Sequence, residues 1–337
     1  MKEDTCDHPA VASINAKIAE EAENGFRRHL GASVIGQKCP RKIWYSFRWA
    51  FKSTFSPRML RLFGRGHREE FAFVDLLRKI GVEVHEYAQP DYVLAYHDAS
   101  ESYIKMAIAE WESRQFGSEP LDDVTGDAFH EEAARRRGVD IPEKKQIKII
   151  DIDGHFGGSL DGEAFFLPQI TQLLHLPYDE KGLVEFKTHG EKSYEKLITD
   201  GVKIAKPEHY AQMCTYMEKR GLKFAMYMAV CKNDDRLYCE YVMANPEHGR
   251  EMIEKARQII YSRVPPPRIS KTPTWFECKF CDARPQCFFS APLEKNCRTC
   301  VNVAPAPDGR WYCAKWQSLI PSEAEISGCG HYQAIRD

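Results

Sequence analysis

Apolar and polar positions along the chain change period several times, and each change marks an element. Residues 11–30 (VASINAKIAEEAENGFRRHL) mix small, charged and apolar residues at helical spacing, so the pattern predicts an amphipathic helix there. A second helix is predicted from about Pro57 to Ile80, stopped at Gly81 and followed by a strand. From Gln146 the period shortens, and QIKIIDIDGHFGGSLDGEAFFL and GLVEFKTHG read as strands separated by Gly and Asp clusters. A helix over Pro207–Arg220 precedes two strand-like runs, KFAMYMAVCK and LYCEYVMA. A helix over Asn245–Arg263 then leads into VPPPR, whose prolines mark a boundary. Beyond it helix signals fade, and the segment reads as metal-held loops. The charge-rich section from Glu110 to Lys145 reads as an exposed helical excursion or insertion without chemistry of its own, and the chain carries no internal repeat or low-complexity tract.

Composition narrows the class. A chain of 337 residues divides into about two domains of roughly 150 residues. With 43% hydrophobic and 28% charged residues, disorder as the main state is excluded. The formal net charge is -2, so a nucleic-acid site must be a local patch rather than a property of the whole molecule. The strongly apolar run Phe224–Cys231 is shorter than the ~20 residues of a membrane span, and the start MKEDTCDHPA lacks the blocks of a signal peptide. The expectation is therefore a cytoplasmic chain, bacterial or phage-encoded, with no membrane partner. Twelve cysteines are too few for a secreted disulfide scaffold, and a reducing compartment favours metal ligation. Cys6, Cys39, Cys214, Cys231 and Cys239 are scattered. Cys278, Cys281, Cys287, Cys297, Cys300, Cys313 and Cys329 crowd the C-terminal end.

The segments GGSLDGE and LVEFKTHG hold the most informative chemistry. Asp161 sits at a strand end, and Glu185 and Lys187 are two apart on an apolar strand, so they project to one face. Two carboxylates meeting at a strand pair can hold Mg2+ or Mn2+, and a neighbouring lysine can orient or help deprotonate a metal-bound water. On spacing alone the plain alternative is a solvated charge pair.

With its flanking segments, this pattern resembles the PD-(D/E)XK nuclease superfamily and its RecB-like exonuclease branch. The resemblance runs in order through GRGHREEFAFV with His67, GGSLDGE with Asp161, VEFKT with Glu185 and Lys187, and EHYAQMCTYM with Gln212 and Tyr216. It implies an α/β fold, a restriction-endonuclease-like mixed sheet flanked by helices. It also implies a divalent ion held by His67, Asp161, Glu185 and the backbone carbonyl of Phe186, with Lys187 stabilising the attacking water. Gln212 and Tyr216, four apart on one helix face, would contact DNA or support the site. Glu70, near the face of His67, is the alternative ligand, and a half-buried core aromatic is the alternative for Tyr216. His189, His209 and Asp153 read as structural or exposed.

In the branch that includes AddB and the CRISPR-associated RecB-like exonucleases, one cysteine before the nuclease core joins three after it to bind a 4Fe-4S cluster. The resemblance places Cys39 with Cys278, Cys281 and Cys287 in that role; four thiolates also suit zinc. Cys297, Cys300, Cys313 and Cys329 have the look of a zinc ribbon with a hairpin through PAPDGRWYC, His331 being the alternative last ligand. The other four cysteines read as ordinary thiols. From Lys38 to Lys52, basic residues (Lys38, Arg41, Lys42, Arg48, Lys52) interleave with aromatics (Trp44, Tyr45, Phe47, Trp49, Phe51), the composition of a single-strand channel, with burial of Trp44 and Phe47 as the alternative. Arg61, Arg65 and Arg68 add a basic helix.

These readings divide the chain into an N-terminal segment over 1–56, a nuclease core over 57–263, an iron-sulfur segment over 264–292 and a zinc-ribbon-like tail over 293–337. The expected function is a Mg2+- or Mn2+-dependent deoxyribonuclease, favouring exonuclease action on single strands or duplex ends, in recombination, repair or CRISPR-type processing. A recombination, helicase or CRISPR-adaptation protein is the expected kind of partner. The alternative is a DNA-end-binding module with little catalysis of its own.

Overall fold

Helix α4 (Pro57–Lys79) and a five-stranded mixed sheet bury one another's apolar faces in this computed structural model, which describes residues 8–21, 26–52, 55–86, 146–177 and 180–335. The section from Glu110 to Lys145 and Cys6 lie outside the described residues. Two units divide the chain, Met1–Val84 with Lys148–Asp337, and His85–Ile147.

The large sheet runs in the order β2 (Glu83–His85), β5 (Gly162–Phe165), β6 (Lys181–His189), β7 (Phe224–Cys231), β8 (Leu237–Met243). Strands β6 and β7 are parallel, with Glu185 opposite Tyr227, whereas β5 and β8 join antiparallel. Side chains alternate across a strand, so Val184, Phe186, Met226 and Met228 meet Phe73, Val74 and Leu77 of α4. Phe186 stacks on Phe73 with ring centroids 5.1 Å apart. Glu185, Lys187 and Tyr227 consequently point to the opposite side, where α7 (Pro207–Arg220) packs on β6. Every residue of β7 is buried, which explains its unbroken apolar run.

Between β6 and α7 lies α6 (Glu191–Ala205), which the apolar period does not announce. It is broken at Gly201, whose φ of 69° suits glycine, and the next amide, Val202 N, donates to Glu240 Oε2 at 2.8 Å. Helix α5 (Pro168–Leu173) and helix α8 (Pro246–Tyr261) complete the helical layer, α8 lying against α7.

A second sheet has the order β1 (Leu30–Gly31), β4 (Phe156–Ser159), β3 (Lys148–Asp151). It corrects the helix expected over 11–30. Helix α1 spans Pro9–Glu21, and Leu30 and Gly31 pair in parallel with Phe156 and Gly157. The buried Leu30 gains a strand slot, its N–H donating to His155 O at 2.8 Å, and this pairing outweighs the helical period.

The region after VPPPR is also more structured than loops. It contains α9 (Phe276–Lys279), α10 (Arg284–Phe289), a 3-10 turn (Cys297–Thr299), a three-stranded antiparallel sheet of β9 (Val303–Pro305), β10 (Trp311–Cys313) and β11 (Ser318–Leu319), and α11 (Ser322–Ser327). The expected hairpin through PAPDGRWYC is β9 and β10.

The basic and aromatic segment is not an open channel. Helices α2 (Ala32–Ile35) and α3 (Pro40–Phe47) bury Trp44, Tyr45 and Phe47, and Trp49, Arg41 and Arg48 are buried with them. Arg48 donates to the carbonyls of Arg298 and Ser262 at 3.2 and 2.9 Å. Arg298, itself buried, lies 3.5 Å from the ring centroid of Trp49 and donates to the carbonyls of Arg28 and Phe47. Its other nitrogens bond Glu325 Oε2 at 3.0 and 3.1 Å. The aromatics thus pack around two guanidinium groups that tie the N-terminal segment to the C-terminal sheet. Lys38 and Lys52 stay exposed, and Lys42 and Phe51 are half-buried.

Candidate active site and cysteine-lined cavities

Asp161 occupies the turn between β4 and β5, and β6 carries Glu185 and Lys187 beside it. Asp161 Oδ2 accepts from Phe186 N at 2.7 Å, which fixes the turn against β6. Lys187 Nζ touches three oxygens: it donates to Phe186 O at 2.9 Å, lies 3.6 Å from Asp161 Oδ2, and forms a close ion pair with Glu185 Oε1. The Glu185 side chain is 0% exposed, and neither of its oxygens makes a well-aligned hydrogen bond. Burial pushes Glu185 up to about 7, the Lys187 charge pulling the other way and Asp161 adding to the rise. Desolvation opposes the Lys187 charge, but Glu185 and Asp161 outweigh it and hold the ammonium above the usual lysine range.

Lys187 forms part of the wall of a cavity of about 290 Å³, together with Glu69, Glu70, Phe73, His189 and His209. Glu70 comes from α4, and burial followed by the charge of Asp161 raises its pKa. His67 stands outside this wall with its side chain 74% exposed, its Nδ1 lying 3.6 Å from Glu70 Oε2. The structure therefore brings Glu70, three positions along the same helix, to the cavity wall and leaves His67 outside it.

Gln212 and Tyr216 lie together on α7 and are both buried. Gln212 Nε2 lies 3.5 Å from Tyr216 OH, which donates to Ser159 O at 3.0 Å. They brace β4 beside Asp161 rather than meeting solvent. Asp153 accepts from Tyr261 OH at the turn before β4.

Sequence reasoning missed His189 and His209 as members of the cavity wall. Both hydrogen-bond Tyr227 OH, at 2.8 and 2.9 Å. Their proximity to Lys187 arises because β6, β7 and α7 converge, and local spacing alone does not carry it.

Every described cysteine is a free thiol. Cys39, Cys278, Cys281 and Cys287 line one small cavity with Arg41, Lys42, Arg268 and Arg284. Cys297, Cys300, Cys313 and Cys329 line another, of about 260 Å³, with Trp316, Leu319 and Tyr332. His331 is exposed and meets the edge of Trp316, so Cys329 is the member that reaches this cavity. Burial raises the Cys278 and Cys281 thiols, with Cys39 adding to both. Cys297 is pushed up to about 11 by burial and then by Cys329, Cys300 and Cys313. Among the described residues, no three His, Cys, Asp or Glu side chains are drawn together as around a bound metal. The remaining described thiols stand apart from both cavities: Cys214 and Cys231 are buried and Cys239 is exposed.

No protein-family model and no curated protein matches the chain. Among solved structures it is similar to LHK-Exo, an alkaline exonuclease from Laribacter hongkongensis crystallised in complex with dAMP, at 19% identity over 48% of this chain and 80% of that one, with a TM-score of 0.25. A phage related exonuclease from Haemophilus somnus 129PT matches at 12% identity over 51% of this chain and 87% of that one, with a TM-score of 0.23. SSO0001 matches at 12% identity over 81% of this chain and 93% of that one, with a TM-score of 0.31. No helix among the described residues is long and apolar enough to cross a membrane.

Proposed function

We propose that the chain is a PD-(D/E)XK-type, divalent-metal-dependent DNA nuclease of the RecB-like kind, acting as an exonuclease on single strands or duplex ends. One observation carries this reading: Lys187 Nζ contacts Asp161, Glu185 and the Phe186 carbonyl at once. Its ammonium stands where a hard cation would satisfy the same oxygens, and the two buried Glu185 oxygens fit such an ion. Asp161, Glu185 and the Phe186 carbonyl would hold Mg2+ or Mn2+, with Glu70 or His67 as a further ligand. The ion would supply Lewis acidity and a lowered water pKa. Lys187, relieved of its carboxylates, would face the cavity and stabilise negative charge on the attacking oxygen or the scissile phosphate. Phe186 N–H would keep Asp161 oriented, and Gln212 and Tyr216 would hold β4 in place.

The cysteine quartets would carry separate structural groups. Four thiols with three guanidinium groups and a lysine close by suit an anionic metal-thiolate group such as 4Fe-4S at Cys39, Cys278, Cys281 and Cys287, with zinc as the second reading of that site. The tail quartet, in a largely apolar cavity, suits structural zinc. Purified protein should contain iron with a visible absorption band, plus one zinc.

The decisive assay is degradation of end-labelled single- and double-stranded DNA with Mg2+ or Mn2+. Lys187→Ala and Asp161→Ala should each lose activity by about 10² or more. Equal degradation by wild type and both variants would overturn the catalytic assignment. DNA binding without cleavage would favour an end-binding module.

A further inference from the structure

Beyond Lys187, the cavity wall includes His189 and His209, which the proposed chemistry leaves unused and which hydrogen bonds link to groups behind the wall. Lys206, between α6 and α7, makes a close contact with Ser193 Oγ, which lies 3.4 Å from His189 Nδ1. His189 Nε2 meets Tyr227 OH at 2.8 Å, and the same hydroxyl meets His209 Nδ1 at 2.9 Å. His209 and His189 both form part of the cavity wall. The rings are near parallel, His189 and His209 being inclined by 22° and His209 and Tyr227 by 29°.

Counting protons gives this chain a direction. An ammonium only donates, so Ser193 Oγ accepts from Lys206 and its single proton serves His189 Nδ1. A neutral imidazole with an accepting Nδ1 carries its proton on Nε2, so His189 donates to the Tyr227 oxygen. The buried phenol then has one proton left to give, and His209 Nδ1 is the acceptor beside it. His209 must in turn carry its proton on Nε2, the nitrogen on the ring edge away from Tyr227. Both rings are neutral, which the alternation requires. Burial, then nearby lysines, holds His189 at about 4; burial, then Lys187, His189 and Lys206, holds His209 at about 3.

We propose that Lys206, Ser193, His189, Tyr227 and His209 form a one-directional hydrogen-bond chain that presents His209 Nε2–H to the Lys187 cavity as a donor for a phosphate oxygen of bound nucleic acid. This rests on the nuclease reading for its substrate. A donor fixed before substrate arrives needs no reorganisation, which is where such groups gain their effect. His209 is then a catalytic residue, and Tyr227, His189, Ser193 and Lys206 are positioning residues that set its tautomer.

The full chain, labelled with 15N-histidine, tests this directly. The expected spectrum shows His209 protonated at Nε2 with Nδ1 accepting, and inorganic phosphate shifts the Nε2 resonance. In Tyr227→Phe and Ser193→Ala the tautomer preference weakens. In kinetics, His209→Leu lowers kcat by about 10² with a smaller change in KM, His209→Gln restores part of it by supplying an amide N–H, and Tyr227→Phe adds little to His209→Leu. A His209 protonated at Nδ1, a resonance indifferent to phosphate, or an unchanged kcat in His209→Leu would overturn the proposal. Failure of the nuclease reading shows separately, as equal cleavage by wild type and Lys187→Ala, and leaves the tautomer and phosphate measurements to decide the donor chain.

Discussion

On the proposed reading Lys187 and Cys39 would each carry two roles, which substitution separates. Lys187 balances Asp161, Glu185 and the Phe186 carbonyl. A divalent ion that takes over those oxygens should therefore stabilise the fold by mass action. Mn2+ at millimolar concentration is expected to raise the melting temperature of the wild type, and Asp161→Asn to abolish the rise, as read by thermal unfolding. Cys39 caps α3, its Sγ accepting from Lys42 N at 3.4 Å, besides lining the thiol cavity. Cys39→Ser keeps a capping oxygen but not a soft metal ligand. Iron content should fall in Cys39→Ser and Cys39→Ala alike, while Cys39→Ala loses a further ~1 kcal/mol in chemical denaturation.

At the scale of elements, the contacts that aim the site are tight and charged. A Cβ on Gly158 of β4 would clash with Tyr216 OH, the hydroxyl that braces Ser159. Gly158→Ala should cost about 1–3 kcal/mol, and the double variant with Tyr216→Phe should recover part of it; denaturant titration checks both. Glu163 on β5 is buried and holds Arg220 of α7 at 2.6 Å and Lys181 of β6 at 3.2 Å. Desolvation would raise its pKa, but Arg220 and then Lys181 win and hold it below the usual glutamate value. A carboxylate depressed on folding contributes stability above its ordinary value of 4.5 and loses it as pH falls through the lowered folded value. Stability should therefore drop as the pH is lowered below about 4.5, and Glu163→Gln should flatten that slope while costing about 1–2 kcal/mol at pH 7, because Arg220 and Lys181 keep access to solvent. Unfolding curves from pH 3 to 7 measure it.

Across the whole molecule, the chain's ends are joined through buried charge. Arg298 reaches Arg28, Phe47 and Glu325, and Arg48 reaches Ser262, Arg298 and Val303. Removing one partner leaves the other charge buried, so Glu325→Leu should destabilise by about 3–5 kcal/mol, and Arg298→Met with Glu325→Leu by less than the sum of the two single changes. A double-mutant cycle in denaturant reads the difference. The Trp44-to-Trp49 segment shows why composition leaves two readings open. Arginine interleaved with aromatics suits a nucleic-acid channel or a core of guanidinium groups stacked on rings, and only the partners brought from position 262 onward decide between them.

Sequence alone determined what depends on local period and residue chemistry: α4, α7, β6 and β7, and the projection of Glu185 and Lys187 to one face. A strand's two-residue alternation and a helix's 3.6-residue turn make such features readable from a single segment. Tertiary structure alone decided what depends on distant partners. It paired Leu30 with Phe156, brought Glu70 rather than His67 to the cavity wall, buried Arg48 and Arg298, and set His189, Tyr227 and His209 in a row beside Lys187. Those placements follow from burial and hydrogen-bond satisfaction between segments far apart in the chain, which no local pattern encodes.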